Sequence, residues 1–180
     1  MRPAYATVPR PARRAVDEDR LRAALGRFPT GVTFVTTEVD GSPLGLIVST
    51  FTAVSLRPPL VSFCPARDSF TWRRMRTARR FAVNVLGTHH TAFARHAAAR
   101  GVDRFAGAEL ESGVSSLPVL ADALAVLECG LEAEHLAGDH TIVVGRVDAL
   151  HVPARRPPLV YWAGAFGDFL KRNGQVTVAT

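Results

Sequence analysis

Three short segments carry polar residues of a type and spacing that chemistry could use. In Ile47-Val48-Ser49-Thr50-Phe51, two adjacent hydroxyls interrupt an otherwise apolar run. Hydroxyls there break the apolar pattern and supply hydrogen-bonding groups. The segment Cys64-Pro65-Ala66-Arg67-Asp68-Ser69-Phe70-Thr71 leaves an apolar strand and enters a helix. Pro65 has no N–H to give a ladder, so sheet pairing should lapse there. Ser69 and Thr71, with the free N–H groups of a helix start, offer donors to a phosphate. Arg67, Arg73 and Arg74 would add positive potential nearby. The same residues equally describe a capped surface helix with a solvated Arg face. In Gly138-Asp139-His140 the glycine permits a left-handed turn and His140 opens the next strand. That imidazole could seat a substrate or simply face solvent.

Other chemistries lack their motifs. There is no GxGxxG after a strand, no GxxxxGK[ST], no GxSxG elbow and no HExxH. The histidines at 89, 90, 96, 135, 140 and 151 form no convincing set with Cys or acids, so no metal is expected. Cys64 and Cys129 lie inside apolar runs without a CxxC pairing, which reads as two buried thiols in a reducing compartment. No apolar run approaches a membrane span and no secretory signal is visible, so the expected location is the cytoplasm.

The chain has 180 residues, 47% of them hydrophobic and 21% charged, which suits one globular domain with a proper core. Its net charge of +6 is unevenly placed. Residues 1–14 carry +4 and residues 67–80 carry +5, while residues 15–66 and 81–180 carry −1 and −2. The positive charge therefore belongs to an N-terminal arm and one internal segment, not to the whole surface. Residues 1–16, with three prolines and little periodicity, read as a disordered arm. The domain spans 17–170, and 171–180 is set apart as a tail.

These segments need elements to hold them. Asp17-Glu18-Asp19 opens a helix with Leu21, Ala24, Leu25 and Phe28 on one face, closed by Pro29. Strands are expected over 31–37, 46–51, 53–56, 60–64, 81–86, 124–136, 141–152 and 159–162. Ser69 should cap a short helix, residues 89–99 should be helical, and 106–118 should be a long loop. Strands in consecutive runs, without strand–helix alternation, favour an antiparallel barrel over a doubly wound sheet.

The order of several segments resembles the flavin reductase family with its FMN-binding split barrel. They are Arg27-Phe28-Pro29-Thr30-Gly31-Val32-Thr33, the run from Gly45 to Leu60, Phe81-Ala82-Val83-Asn84-Val85-Leu86, Asp103-Arg104-Phe105-Ala106-Gly107, Ala137-Gly138-Asp139-His140-Thr141, and Pro158-Leu159-Val160-Tyr161 before Gly164. The resemblance implies a mainly β fold with peripheral helices, an antiparallel Greek-key split barrel. It implies that FAD or FMN lies against Ile47, Val48, Ser49, Thr50 and Phe51, with Cys64, Pro65 and Ala66 lining the other part of the groove. Ser69 and Thr71 fall at the family's phosphate contacts, and Asn84 and Phe105 are further candidates. His140, with Gly138 and Asp139, falls on the side facing the nicotinamide of NADH or NADPH, and Tyr161 joins them as a positioning residue. The Ser49-Thr50 pair departs from the family's frequent Ser-Ser but keeps the hydroxyl.

The resemblance further implies an NAD(P)H-dependent flavin reductase that supplies reduced flavin to a separate flavin-dependent oxygenase component, as a homodimer, with no nucleic acid or membrane partner. In such an enzyme the flavin carries the chemistry and the protein supplies placement, so no side-chain acid or base is obligatory. One alternative is a flavin-binding split barrel that serves as sensor or electron carrier without NAD(P)H turnover. A nucleic-acid module built on the arginines lacks interleaved aromatics for stacking.

Overall fold

A computed structural model describes residues 16–153, 156–172 and 175–179. The proposed N-terminal arm, up to residue 15, lies outside them. Helix α1 spans Glu18–Leu25 and starts where the acids place it: the Asp17 carboxylate accepts the Asp19 N–H at 3.2 Å. Its predicted apolar face finds no full cover among the described residues. Leu21, Leu25 and Phe28 stay 46%, 63% and 73% exposed.

The centre is one seven-stranded antiparallel sheet. Its strands are β2 (Thr33–Val39), β3 (Ser42–Val48), β4 (Thr52–Leu56), β5 (Pro59–Phe63), β6 (Arg80–Val85), β9 (Ala125–Ala137) and β10 (His140–His151). They run side by side in the order β3-β2-β6-β9-β10-β5-β4. The two edge strands, β3 and β4, are consecutive in the chain and separated by only three residues. A single apolar cluster collects Val35, Leu46, Val48, Val61, Phe63, Phe81, Val83, Cys129, Leu131 and Val143 from six of the seven strands. One face of the sheet thus curls around a common interior, as a split barrel requires. Helix α2 (Phe70–Met75) inserts Trp72 and Met75 into that interior. The Phe63 ring meets Trp72 and Phe81 edge-on at 5.2 and 5.4 Å.

The opposite face carries a second core. Val32, Phe34, Ala82, Leu86 and Val126 pack under helix α3 (Thr91–Ala98), under the hairpin β7 (Leu110–Ser112) and β8 (Pro118–Leu120), and against β11 (Leu159–Trp162). Period-two alternation along β2 sends Phe34 to this core and Val35 to the barrel. Gly45 is needed here, since a Cβ would lie 2.3 Å from the Phe34 ring. Strand β11 also pairs with β1 (Thr30–Gly31) and with β12 (Ala165–Arg172), which pairs with β13 (Gln175–Ala179).

Several segments differ from the sequence expectation: the strand expected over 46–51 ends at Val48, and Ala165–Arg172 forms an unexpected strand. Within the expected loop 106–118, the backbone of Leu110–Ser112 pairs with Pro118–Leu120. The edge is short and exposed, so it leaves no alternation to read. The segment 171–180, set apart as a tail, contains the end of β12 and all of β13. Among the described residues no helix is long and apolar enough to cross a membrane.

Candidate functional site

The barrel opens where β3 ends and β5 ends, and the polar segments meet there. Ile47, Val48, Ser49, Thr50, Cys64, Pro65, Ala66, Ser69 and His140 line one groove of about 290 Å3, floored by Leu46. Each is put there by a specific local cause. Thr50 lies just past β3, and its hydroxyl accepts the Cys64 N–H at 2.8 Å. This bond spans the split between two strands that are not neighbours in the sheet. Pro65 interrupts β5 as its missing N–H predicts, and its carbonyl takes the Thr141 N–H at 3.0 Å instead. Ala66 pairs with His140 as an isolated bridge, and the Arg67 N–H donates to the Asp139 carbonyl at 2.8 Å. The hairpin of His140 is thereby tied to the segment that enters α2.

The groove's chemistry is that of a flat ligand with a polar edge. It is lined by the apolar Leu46, Ile47 and Val48 and by the hydroxyl-bearing Ser49 and Thr50. Ser69 is the N-cap of α2, its hydroxyl accepting the Trp72 N–H at 3.1 Å. Ser69 thus lines the groove while its hydroxyl holds its own helix. Gly138 has φ +65°, so the turn before His140 requires the conformation glycine adopts most readily. The His140 Nδ1 lies 2.8 Å from the Asp139 carboxylate. The hydrogen bond and charge of His140 hold that carboxyl below its usual range. With Nδ1 so oriented, Nε2 has no protein partner among the described residues.

Neither cysteine is an activated nucleophile. Burial pushes the Cys64 thiol up, opposed in part by its hydrogen bond with Thr50. Burial, then Asp148 and Glu128, push Cys129 up to about 12. Both are free thiols.

A second hollow of about 810 Å3 adjoins the first through Ser49, which lines both. Tyr161 stands in it with Phe28, Thr30 and Trp162. The hydroxyl of Thr30 is buried there without a hydrogen-bond partner. Tyr161 and His140 thus line different hollows that share Ser49.

Four expected contacts lie elsewhere. Asn84 is fully buried, and its amide is consumed by the core: Nδ2 donates to the Phe34 carbonyl at 2.8 Å and to the Thr36 hydroxyl at 3.1 Å, and Oδ1 accepts the Leu120 N–H at 2.8 Å. It anchors the β7–β8 hairpin, and both of its N–H groups are committed inside the core. Phe105 packs edge-on against Phe34 at 5.2 Å in the outer core. Phe51 packs against the barrel interior. Thr71 is half-buried on α2 and does not line the groove.

The sequence also left a polar cluster unread. Asp122 bonds His90 Nε2 at 2.7 Å and lies 3.2 Å from His89 Nε2. These three side chains have a metal site's composition. However, the Gly87 N–H donates to His90 Nδ1 at 3.0 Å, which leaves the ring proton on Nε2, directed at Asp122. A metal on Nε2 would force that proton onto Nδ1, against the Gly87 N–H. The cluster instead fastens the start of α3 to the loop before β9. Its residues are 32 positions apart, so no local spacing announces it.

Comparison with known proteins places this geometry. Residues 25–169 match the family described as flavin reductase like domain. The reductase subunit HsaB of a flavin-dependent monooxygenase from Rhodococcus jostii is 38% identical over 86% of this chain and 80% of its own. An NADH-dependent FAD reductase of Streptomyces globisporus is 41% identical over 85% of this chain and 86% of its own. Among solved structures, a nitrilotriacetate monooxygenase component B homologue from Mycobacterium thermoresistibile superposes with a TM-score of 0.81 at 35% identity, covering 86% of this chain and 87% of its own. An NADH:FAD oxidoreductase from Streptomyces globisporus, in complex with NAD and FAD fragments, superposes at 0.78 with 38% identity, covering 83% and 91%.

Proposed function

The chain belongs to the flavin reductase like domain family, and on that premise we propose how its groove performs the family's reaction. The protein is an NAD(P)H:flavin oxidoreductase that reduces FAD or FMN and supplies reduced flavin to a monooxygenase component. The observation that carries the site assignment is the convergence of Ile47–Thr50, Cys64–Ala66, Ser69 and His140 on one groove. When bound, the flavin supplies the chemistry, accepting a hydride from the nicotinamide.

The chain's own residues bind and orient. The apolar floor of Leu46 and Val48 excludes water from one ring face. Ser49, Thr50 and the backbone beside them meet the ring's polar edge, and the unpartnered Thr30 hydroxyl of the adjoining hollow supports a polar contact there. Ser69 stands where a phosphate contact is expected. His140, held through Nδ1 by Asp139, presents Nε2 to position the nicotinamide; it neither gives nor takes a proton in the transfer.

The exposed apolar residues of α1 support a homodimer, in which a second copy covers them. Two free thiols accord with a cytoplasmic setting. Anaerobic addition of NADH to the protein with FAD or FMN tests the reading. Bleaching of the oxidised-flavin absorption band is expected. A band that persists would return the protein to a flavin-holding sensor or carrier.

A further inference from the structure

The stretch of β3 that lines the groove begins at Leu46, directly after Gly45. Three groups converge on that glycine. A Cβ there would collide with the Phe34 ring and come within 3.1 Å of the Phe105 ring, so both rings close on the strand at this point. The Gly45 carbonyl accepts a hydrogen bond from the Arg104 guanidinium at 3.1 Å. Arg104 is delivered by a braced turn. The Phe105 N–H donates to the Asp103 carboxylate at 3.0 Å, the Ala106 N–H to the Asp103 carbonyl at 3.2 Å, and the Ala108 N–H to the Phe105 carbonyl at 2.9 Å.

The guanidinium is half-buried and makes no ion pair among the described residues. Burial lowers its pKa, the direction expected of a cation drawn out of water. Keeping a charge there costs solvation, and the Gly45 carbonyl is its acceptor among the described residues. The strand it holds needs support. β3 is an edge strand, with β2 as its one neighbour in the sheet. An edge strand lacks half of the ladder that fixes a central one. Beyond Val48 the chain leaves the ladder, and its next fixed point is the Thr50 hydroxyl on the Cys64 N–H.

We propose that Arg104 is a positioning residue for the flavin: through the Gly45 carbonyl it fixes the near end of residues 46–50, whose far end is fixed by the bond between Thr50 and Cys64. Arg104 does not line the groove, so it acts through β3 and not by contact. The proposal rests on the reductase reading for the identity of the ligand and adds what holds the ligand's strand in place.

The first test is hydrogen exchange on the flavin-free protein. Arg104→Met keeps the length of the side chain and removes its donors. Amides of residues 46–50 should exchange about fivefold faster in this variant, with β6 and β9 unchanged. Arg104→Lys, which restores a single charged donor, should recover most of the protection, and it carries the comparison with wild type if the Met variant does not fold. The second test is fluorescence titration with FMN. The Met variant should bind FMN about fivefold more weakly, and the KM for FMN should rise as much while the KM for NADH at saturating FMN stays put. Combined with Thr50→Val, the loss of FMN affinity should fall short of the product of the two single losses, because both changes release one strand. A lower thermal midpoint with unchanged exchange at 46–50 and unchanged FMN affinity would make Arg104 a purely structural residue. A rise confined to the KM for NADH, or losses that multiply in the double variant, would equally overturn the proposal. A wild-type protein that binds no FMN would sink the reductase reading, whereas the exchange result, read without flavin, still decides whether Arg104 fixes the strand.

Discussion

The Thr50 hydroxyl accepts the Cys64 backbone N–H at 2.8 Å, across the opening of the barrel. The two residues sit past the ends of β3 and β5, which lie five places apart in the sheet. One side chain thus closes the barrel at the point where its floor becomes the flavin groove. Thr50→Val keeps the shape and removes the acceptor. The expected result is a stability loss of about 1 kcal/mol, modest because water can reach this N–H, and a several-fold weaker flavin affinity. Thr50→Ser should restore both. Flavin fluorescence titration and thermal unfolding read the two effects; a Val variant with unchanged flavin affinity would remove the bond from any role in binding.

His140 lies on a hairpin tied to the groove through Ala66 and Arg67 but is itself partly exposed. His140→Ala should therefore leave the fold alone and raise the KM for NADH more than the KM for flavin. His140→Gln, which keeps a hydrogen-bonding amide, should recover part of the loss. The opposite ordering of the two KM effects would place His140 on the flavin instead.

Asn84 separates a structural polar group from a ligand contact. Asn84→Ala leaves the buried Leu120 N–H and the Phe34 carbonyl without their partner. A destabilisation of about 1–3 kcal/mol is expected for the orphaned groups. Flavin KM, corrected for the folded fraction, should not move. A selective flavin defect in a protein of normal stability would restore Asn84 to the site.

The same residue shows what the sequence could and could not convey. A lone amide in the apolar strand Phe81–Leu86 signals either a ligand or a buried network, and the deciding partners, Thr36 and Leu120, lie far away in the chain. Local signals were legible: Asp17 and Ser69 as caps, Pro65 as the end of pairing, Gly138 as a left-handed turn, and the hydroxyls of Ser49 and Thr50. Each rests on the chemistry of one or two residues. The β7–β8 hairpin and the His89–His90–Asp122 cluster depend on contacts between separated segments, which alternation and spacing do not encode. The apolar face of α1 was legible as a face, and it stays exposed among the described residues.

That histidine cluster makes stability depend on pH. Burial lowers the pKa of His90 below its ordinary 6.5, outweighing its hydrogen bond to Asp122. The Gly87 N–H occupies Nδ1, so the folded state resists a second ring proton. In the unfolded chain the same imidazole protonates normally. As pH falls through about 6.5 the unfolded state binds the proton first, and stability declines until the depressed folded value is reached. Asp122 acts in the same direction at lower pH. Burial alone would raise its carboxyl, but the hydrogen bond and charge of His90, with His89, leave it depressed, so protonating it also favours unfolding. Thermal midpoints measured from pH 8 to pH 5 should therefore fall on acidification, and His90→Gln should flatten the part of that slope near pH 6.5 whatever its effect on stability at pH 8. A slope identical in wild type and variant would assign the acid sensitivity to other groups.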